Sequence, residues 1–77
     1  MNIEQIRDAY RASPFKPFVL HLADGRNVAV DHPEFIMFSR EGDEVAVYER
    51  EGRKRYVDPK SVTEIDVPRP RRKRAKS

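Results

Sequence analysis

Phe18-Val19-Leu20-His21-Leu22-Ala23-Asp24-Gly25-Arg26-Asn27-Val28-Ala29-Val30 reads as a β-hairpin, and the rest of the 77-residue chain is organised around it. Phe18, Leu20 and Leu22 alternate with Val19, His21 and Ala23, Asp24-Gly25 signals the turn, and Val28 and Val30 alternate on the return strand. Parity selects the loop. Two turn residues at Asp24-Gly25 would set Leu22 against Asn27 and Leu20 against Ala29, mixing the faces. A three-residue loop, Ala23-Asp24-Gly25, sets Leu20 against Val28 and Phe18 against Val30, so every large apolar residue shares one face. The third loop position then needs a left-handed backbone, which Gly25 adopts at little cost.

A face of that kind needs a partner, and the residues upstream supply one. Asn2 followed by Gln5 is a capping-box pattern, and Ile3, Ile6 and Tyr10 recur at helical spacing with Ala9 beside them. Pro14 disfavours helical backbone at Ser13, so the helix is predicted to end near Ala12. Three turns are unstable alone and must lie on something apolar.

Downstream the pattern stays extended. His32-Pro33 interrupts the second strand, because proline cannot donate to a ladder, and predicts a bulge or tight bend. Phe35 to Ser39 is the next extended piece, Arg40-Glu41-Gly42-Asp43 a turn, and Val45 to Arg50 a strand. Glu51-Gly52 is a second hairpin turn and Arg53 to Val57 its return. Asp58 to Ser61 reads as one helical or 3₁₀ turn, and Val62 to Val67 as the last strand. The predicted class is α+β, mainly β: an N-terminal helix followed by a strongly bent antiparallel sheet, or a small Sm/SH3-like barrel, of five to six short strands. Parity also pairs Phe35 with Met37 and Ile36 with Phe38; whichever pair is core, the other is free for contact.

Charge divides the chain in two. Residues 1–67 hold ten Lys/Arg and thirteen Asp/Glu, net −3, whereas 68–77 add six cations and no acid, net +6. Residues 1–67 are therefore the folded domain, and 68–77, opened by Pro68 and Pro70, form a basic tail expected to stay unfolded. Arg69, Arg71, Arg72, Lys73, Arg74 and Lys76 are the candidate nucleic-acid contacts. A polycation releases counterions from a phosphate backbone, giving salt-sensitive affinity for RNA or DNA alike. The competing reading is a solubilising tail. Arg53 and Arg55, set across the second hairpin from Glu49 and Glu51, and Tyr56 are possible secondary contacts; a charge-balanced hairpin is the plainer account of the arginines.

Enzyme chemistry finds little material. The chain has no Cys, and His21 and His32 lack a metal-ligand spacing, so neither a metal nor a cofactor is expected. His21 faces away from Leu20 and Leu22, and His32 is expected to cap a turn. The four serines lack a nucleophile elbow, and the three glycines are isolated in turns. The start of the chain lacks signal-peptide features and no apolar run approaches the ~20 residues of a membrane span, so a cytoplasmic protein without membrane partners is expected.

The segment Ser13 to Phe38 carries Pro14-Phe15-Lys16-Pro17-Phe18, Leu22-Ala23-Asp24-Gly25-Arg26 and His32-Pro33-Glu34-Phe35. It resembles a group of short, uncharacterised bacterial proteins that share P-F-x-P-F, L-x-D-G-R and H-P-E-F. That resemblance implies bacterial origin and no particular activity. The order of a short helix, a strand running into Asp24-Gly25, bent strands and a final short strand also looks like the Sm-like family, including Hfq-type RNA chaperones. This second likeness implies a ring built by pairing edge strands, and single-stranded RNA as ligand. The chain departs from it at His32-Pro33, at Phe35 to Ser39 and at Asp58-Pro59, and no pocket residue is carried over. The sequence thus predicts a non-enzymatic binding module, associated with nucleic acid through its tail, or alternatively a protein-interaction or self-assembly module that uses an exposed strand edge or an aromatic patch around Phe38 or Tyr48.

Overall fold

The structure, a computed structural model, describes residues 2–68. Helix α1, Ile3–Arg11, opens with the predicted capping box: Asn2 Oδ1 accepts from the Gln5 amide at 3.2 Å, and the Asn2 amide donates to Gln5 Oε1 at 3.2 Å. Two of the amides that a helix start leaves unpaired are satisfied in this way. The helix stops at Ala12, whose backbone is extended, two residues before Pro14.

Strand β1, Phe18–Leu22, is the centre of a three-stranded antiparallel sheet, flanked by β2, Asn27–Val30, and β6, Val62–Asp66. Its register with β2 sets Phe18 against Val30 and Leu20 against Val28, so the three-residue loop is correct. The Leu22 amide donates to the Arg26 carbonyl at 2.8 Å to close that loop, and Gly25 lies at φ +93°. Asp24 reinforces the turn: its carboxylate accepts from the Arg26 amide at 3.1 Å and from Arg26 Nε at 2.8 Å. The bond from the Arg26 amide leads in holding the Asp24 carboxyl below its ordinary pKa. Because the folded-state value is depressed, the contribution is present at neutral pH and lost as pH falls through it.

Strands β3, Ile36–Phe38, β4, Val45–Tyr48, and β5, Lys54–Val57, form a second three-stranded antiparallel sheet in that order. The α+β, mainly β class expected from sequence holds, with one helix ahead of six short strands; the strands make two small antiparallel sheets rather than one bent sheet, and the sheets do not close into a barrel. The break falls at His32-Pro33, where the chain makes a 3₁₀ turn, Pro33–Phe35, rather than a bulge. Pro33 has no amide to give a ladder, and the turn carries the chain out of the first sheet before β3 begins. His32 does not cap this turn with its side chain; its carbonyl accepts from Phe35 at 3.1 Å and its ring meets Phe35 edge-on, centroids 5.2 Å apart. A further 3₁₀ turn, Pro59–Ser61, lies where one was predicted, with Asp58 accepting from the Lys60 amide, and leads into β6.

One apolar cluster joins the helix and both sheets. Ile6, Phe18, Leu20, Val28, Val30, Val45 and Val47 are fully buried in it, and no polar or charged side chain among the described residues is buried. Of the two pairs on β3, Ile36 and Phe38 turn inward while Phe35 and Met37 face out. Phe38 is consequently not an exposed contact. Its ring packs on Tyr10 of α1, centroids 5.3 Å apart, with the Arg7 guanidinium 5.1 Å above it.

The second hairpin carries a strained residue. The Glu49 amide donates a hydrogen bond to the Arg53 carbonyl at 2.7 Å, so the loop is Arg50-Glu51-Gly52, one residue longer than predicted. Glu51 adopts φ 69°, ψ 16°, a left-handed conformation costing a side chain with Cβ about 1 kcal/mol. Asn tolerates that region better. Glu51→Asn is expected to raise stability by about 0.5–1 kcal/mol, read as a higher urea midpoint at unchanged slope; a lowered midpoint contradicts the assignment of strain.

Candidate functional site

The second sheet has one face in the core and one in water. Ile36, Val45, Val47 and Val57 point inward, leaving the alternate residues Met37, Ala46, Tyr48, Lys54 and Tyr56 on the outer face. The register sets Met37, Ala46 and Tyr56 in one row across the three strands and Tyr48 opposite Lys54 in the next. Met37 is 59 %, Tyr48 41 % and Tyr56 63 % exposed, and the residues line a shallow groove of about 260 Å³. Scattered exposed apolar residues are ordinary, but three on one face of one sheet form a surface.

Lys54 is set among the rings. Its Nζ lies 5.4 Å from the Tyr48 centroid and 5.3 Å from the Tyr56 centroid, so the ammonium is shared between two aromatic groups. Hydrogen bonding to the Tyr56 hydroxyl, and then to that of Tyr48, raises the Lys54 pKa above the ordinary lysine value. The group is therefore a cation throughout the neutral range. The face offers two π-surfaces, a thioether and a positive charge, and Glu44 also lines the groove.

Elsewhere several charged side chains pair with one another. Arg55 Nε meets Glu49 Oε1 at 3.2 Å, with side chains 22 % and 18 % exposed, as the charge balance of this hairpin suggested. Arg50 Nε reaches Asp31 Oδ2 at 3.3 Å and ties the second hairpin to the chain beyond β2. Arg53 lines a groove of about 470 Å³ beside that pair, together with Ala29, Glu49 and Glu51. His21, half-buried on β1, has Nδ1 2.8 Å from Asn27 Oδ1 and Nε2 3.5 Å from Asp66 Oδ2. No cluster of three metal-ligating side chains occurs among the described residues. No helix among them is long and apolar enough to cross a membrane.

Of the sequence-predicted contacts, Tyr56 lies on the outer face, Arg55 is engaged with Glu49, and Arg53 borders the neighbouring groove. Arg69, Arg71, Arg72, Lys73, Arg74 and Lys76 lie outside the described residues. Met37 belongs to the Phe35/Met37 pair that parity leaves free for contact once Ile36 and Phe38 are core, whereas Lys54 is not singled out by the sequence as a contact, although strand alternation places it beside the tyrosines. No protein-family model matches the chain, and no curated protein or solved structure is significantly similar to it.

Proposed function

We propose that this protein is a non-enzymatic nucleic-acid-binding module. The observation that carries the reading is the solvent-facing Tyr48–Lys54–Tyr56 cluster on a chain whose last ten residues hold six Lys/Arg and no acid. Aromatic surface joined to positive charge is the combination by which proteins hold nucleic acid without reading an extended duplex. The folded part alone is net acidic, so the electrostatic share of the affinity is assigned to the segment after Pro68. The test is fluorescence anisotropy of labelled RNA and DNA titrated with the full chain at several salt concentrations. Six phosphate contacts predict a log–log slope of about −4 on single strands. Binding that ignores salt, or no binding at 50 mM salt, refutes the reading.

A second reading, an assembly module, has its own observation. β5 and β6 are both edge strands of their sheets, and their charges are opposite: Lys54 and Arg55 on one, Glu64 and Asp66 on the other. Edge strands pair readily with another chain. Sedimentation velocity in 150 mM and 500 mM salt tests it: a defined, salt-sensitive oligomer favours assembly, and a monomer in both removes it.

A further inference from the structure

We infer that the outer face of the second sheet is a stacking site for unpaired nucleotides, with bases laid on the Tyr48 and Tyr56 rings and the Lys54 ammonium, which lies between those rings, turned to the adjoining phosphate. The inference rests on the nucleic-acid reading and adds to it the site, the strandedness of the ligand and the residues.

Register provides the spacing. Tyr48 is opposite Lys54, and Tyr56 is opposite Ala46, so the two tyrosines are diagonal neighbours on one face. Such neighbours stand about 7–8 Å apart. The face therefore presents two neighbouring stacking surfaces, with the Lys54 ammonium 5.4 Å from one ring centroid and 5.3 Å from the other. Ala46, beside Tyr56 in the row, has no side chain beyond Cβ to shield that ring, and Met37 ends the row with an exposed, polarisable thioether. Charge identifies the occupant. The cation between the rings, together with the six cations that follow Pro68, is complementary to a polyanion that also presents flat π-surfaces. A duplex buries those surfaces in its own stack and cannot offer one to the face without unpairing.

The tyrosines are exposed and make no part of the core, so substitution leaves the fold intact. The experiment uses the full chain against a labelled 12-nucleotide uridine RNA and a labelled 12-base-pair DNA duplex. Tyr48→Ala and Tyr56→Ala are each expected to lose about tenfold affinity for the RNA and less than twofold for the duplex. Tyr56→Phe, which keeps the ring, is expected to retain affinity within twofold. RNA binding unchanged in both alanine variants, with the wild-type salt slope intact, overturns the stacking site while leaving the nucleic-acid reading standing. Absence of wild-type binding to either probe overturns both. Equal losses on RNA and duplex, or a Tyr56→Phe loss matching that of Tyr56→Ala, overturn base stacking. Self-association abolished by the same alanine variants, with no RNA effect, overturns it in favour of a second copy on this face.

Discussion

Phe18→Ala is expected to leave the chain largely unfolded near physiological temperature. Phe18 is the largest fully buried side chain, 1 % exposed, and sits on the strand that is hydrogen-bonded on both sides, to β2 and to β6. Its ring also meets Phe15, centroids 5.9 Å apart, which ties the segment between α1 and β1 to the core. Removing a buried Phe side chain costs about 3–5 kcal/mol in lost transfer energy and residual cavity. Domains carry about 0.05–0.15 kcal/mol of stability per residue, which for one of this size is only about 3–10 kcal/mol in all. At about 4–8 °C per kcal/mol, the melting temperature should fall by about 12–40 °C. Circular dichroism melts of wild type, Phe18→Ala and Val19→Ala decide the matter. Val19 is the next residue on the strand and points the other way, so its variant should melt close to wild type. A Phe18→Ala melting temperature within 5 °C of wild type would falsify the assignment of this face to the core.

The burial of Phe18 is legible in the sequence, because side-chain parity fixes the first hairpin. Of a two-residue and a three-residue loop, only the latter keeps Phe18, Leu20, Val28 and Val30 on one face, and the observed register is that one. The capping box at Asn2 and the helix stop before Pro14 were equally legible, since each rests on the chemistry of two or three neighbouring residues. Parity could also have set the second hairpin. A two-residue loop at Glu51-Gly52 would pair Val47 with Tyr56, whereas the observed three-residue loop pairs Val45 with Val57. There the Glu-Gly dipeptide outweighed the face argument, and the left-handed Glu51 that results has no local signature.

Long-range features were less legible for a physical reason. Local chemistry shows that Pro33 stops a ladder, but not whether the next strand rejoins the same sheet; two separate sheets follow from how β3, β4 and β5 pair among themselves. Placement of Phe38 depended on where α1 lands, since Tyr10 and Arg7 cover a ring that alternation alone could assign to either face. The candidate site was half visible. Tyr56 was marked as a possible contact, but Lys54 was absorbed into the cluster Arg53-Lys54-Arg55, within which the register separates an outward lysine from an Arg55 held by Glu49.

Replacing Arg69, Arg71, Arg72, Lys73, Arg74 and Lys76 together by Gln in the full chain is expected to remove at least 99 % of the affinity for either probe at 50 mM salt. Each cation that meets a phosphate releases counterions, and the free energy of that release is set by salt rather than by sequence. Six such contacts give slopes of about −4 on single strands and about −5 on duplex; with all six gone the slope should approach the single contact left to Lys54, about −0.7 on RNA. The substitution also reverses the net charge from +3 to −3, so a polyanion is repelled at long range as well as bound less tightly. The slope separates this account from a solubilising role. A tail that only keeps the protein dispersed changes solubility and leaves slope and affinity where they were, and that result would return recognition to the domain. A tail that carries the phosphate contacts takes the slope with it and leaves whatever strand preference Tyr48 and Tyr56 confer, because stacking depends little on salt. The ratio of RNA to duplex affinity should therefore survive, or grow, while both affinities fall. If that ratio collapses to one, the sheet face contributes nothing of its own and the chain binds as a polycation alone.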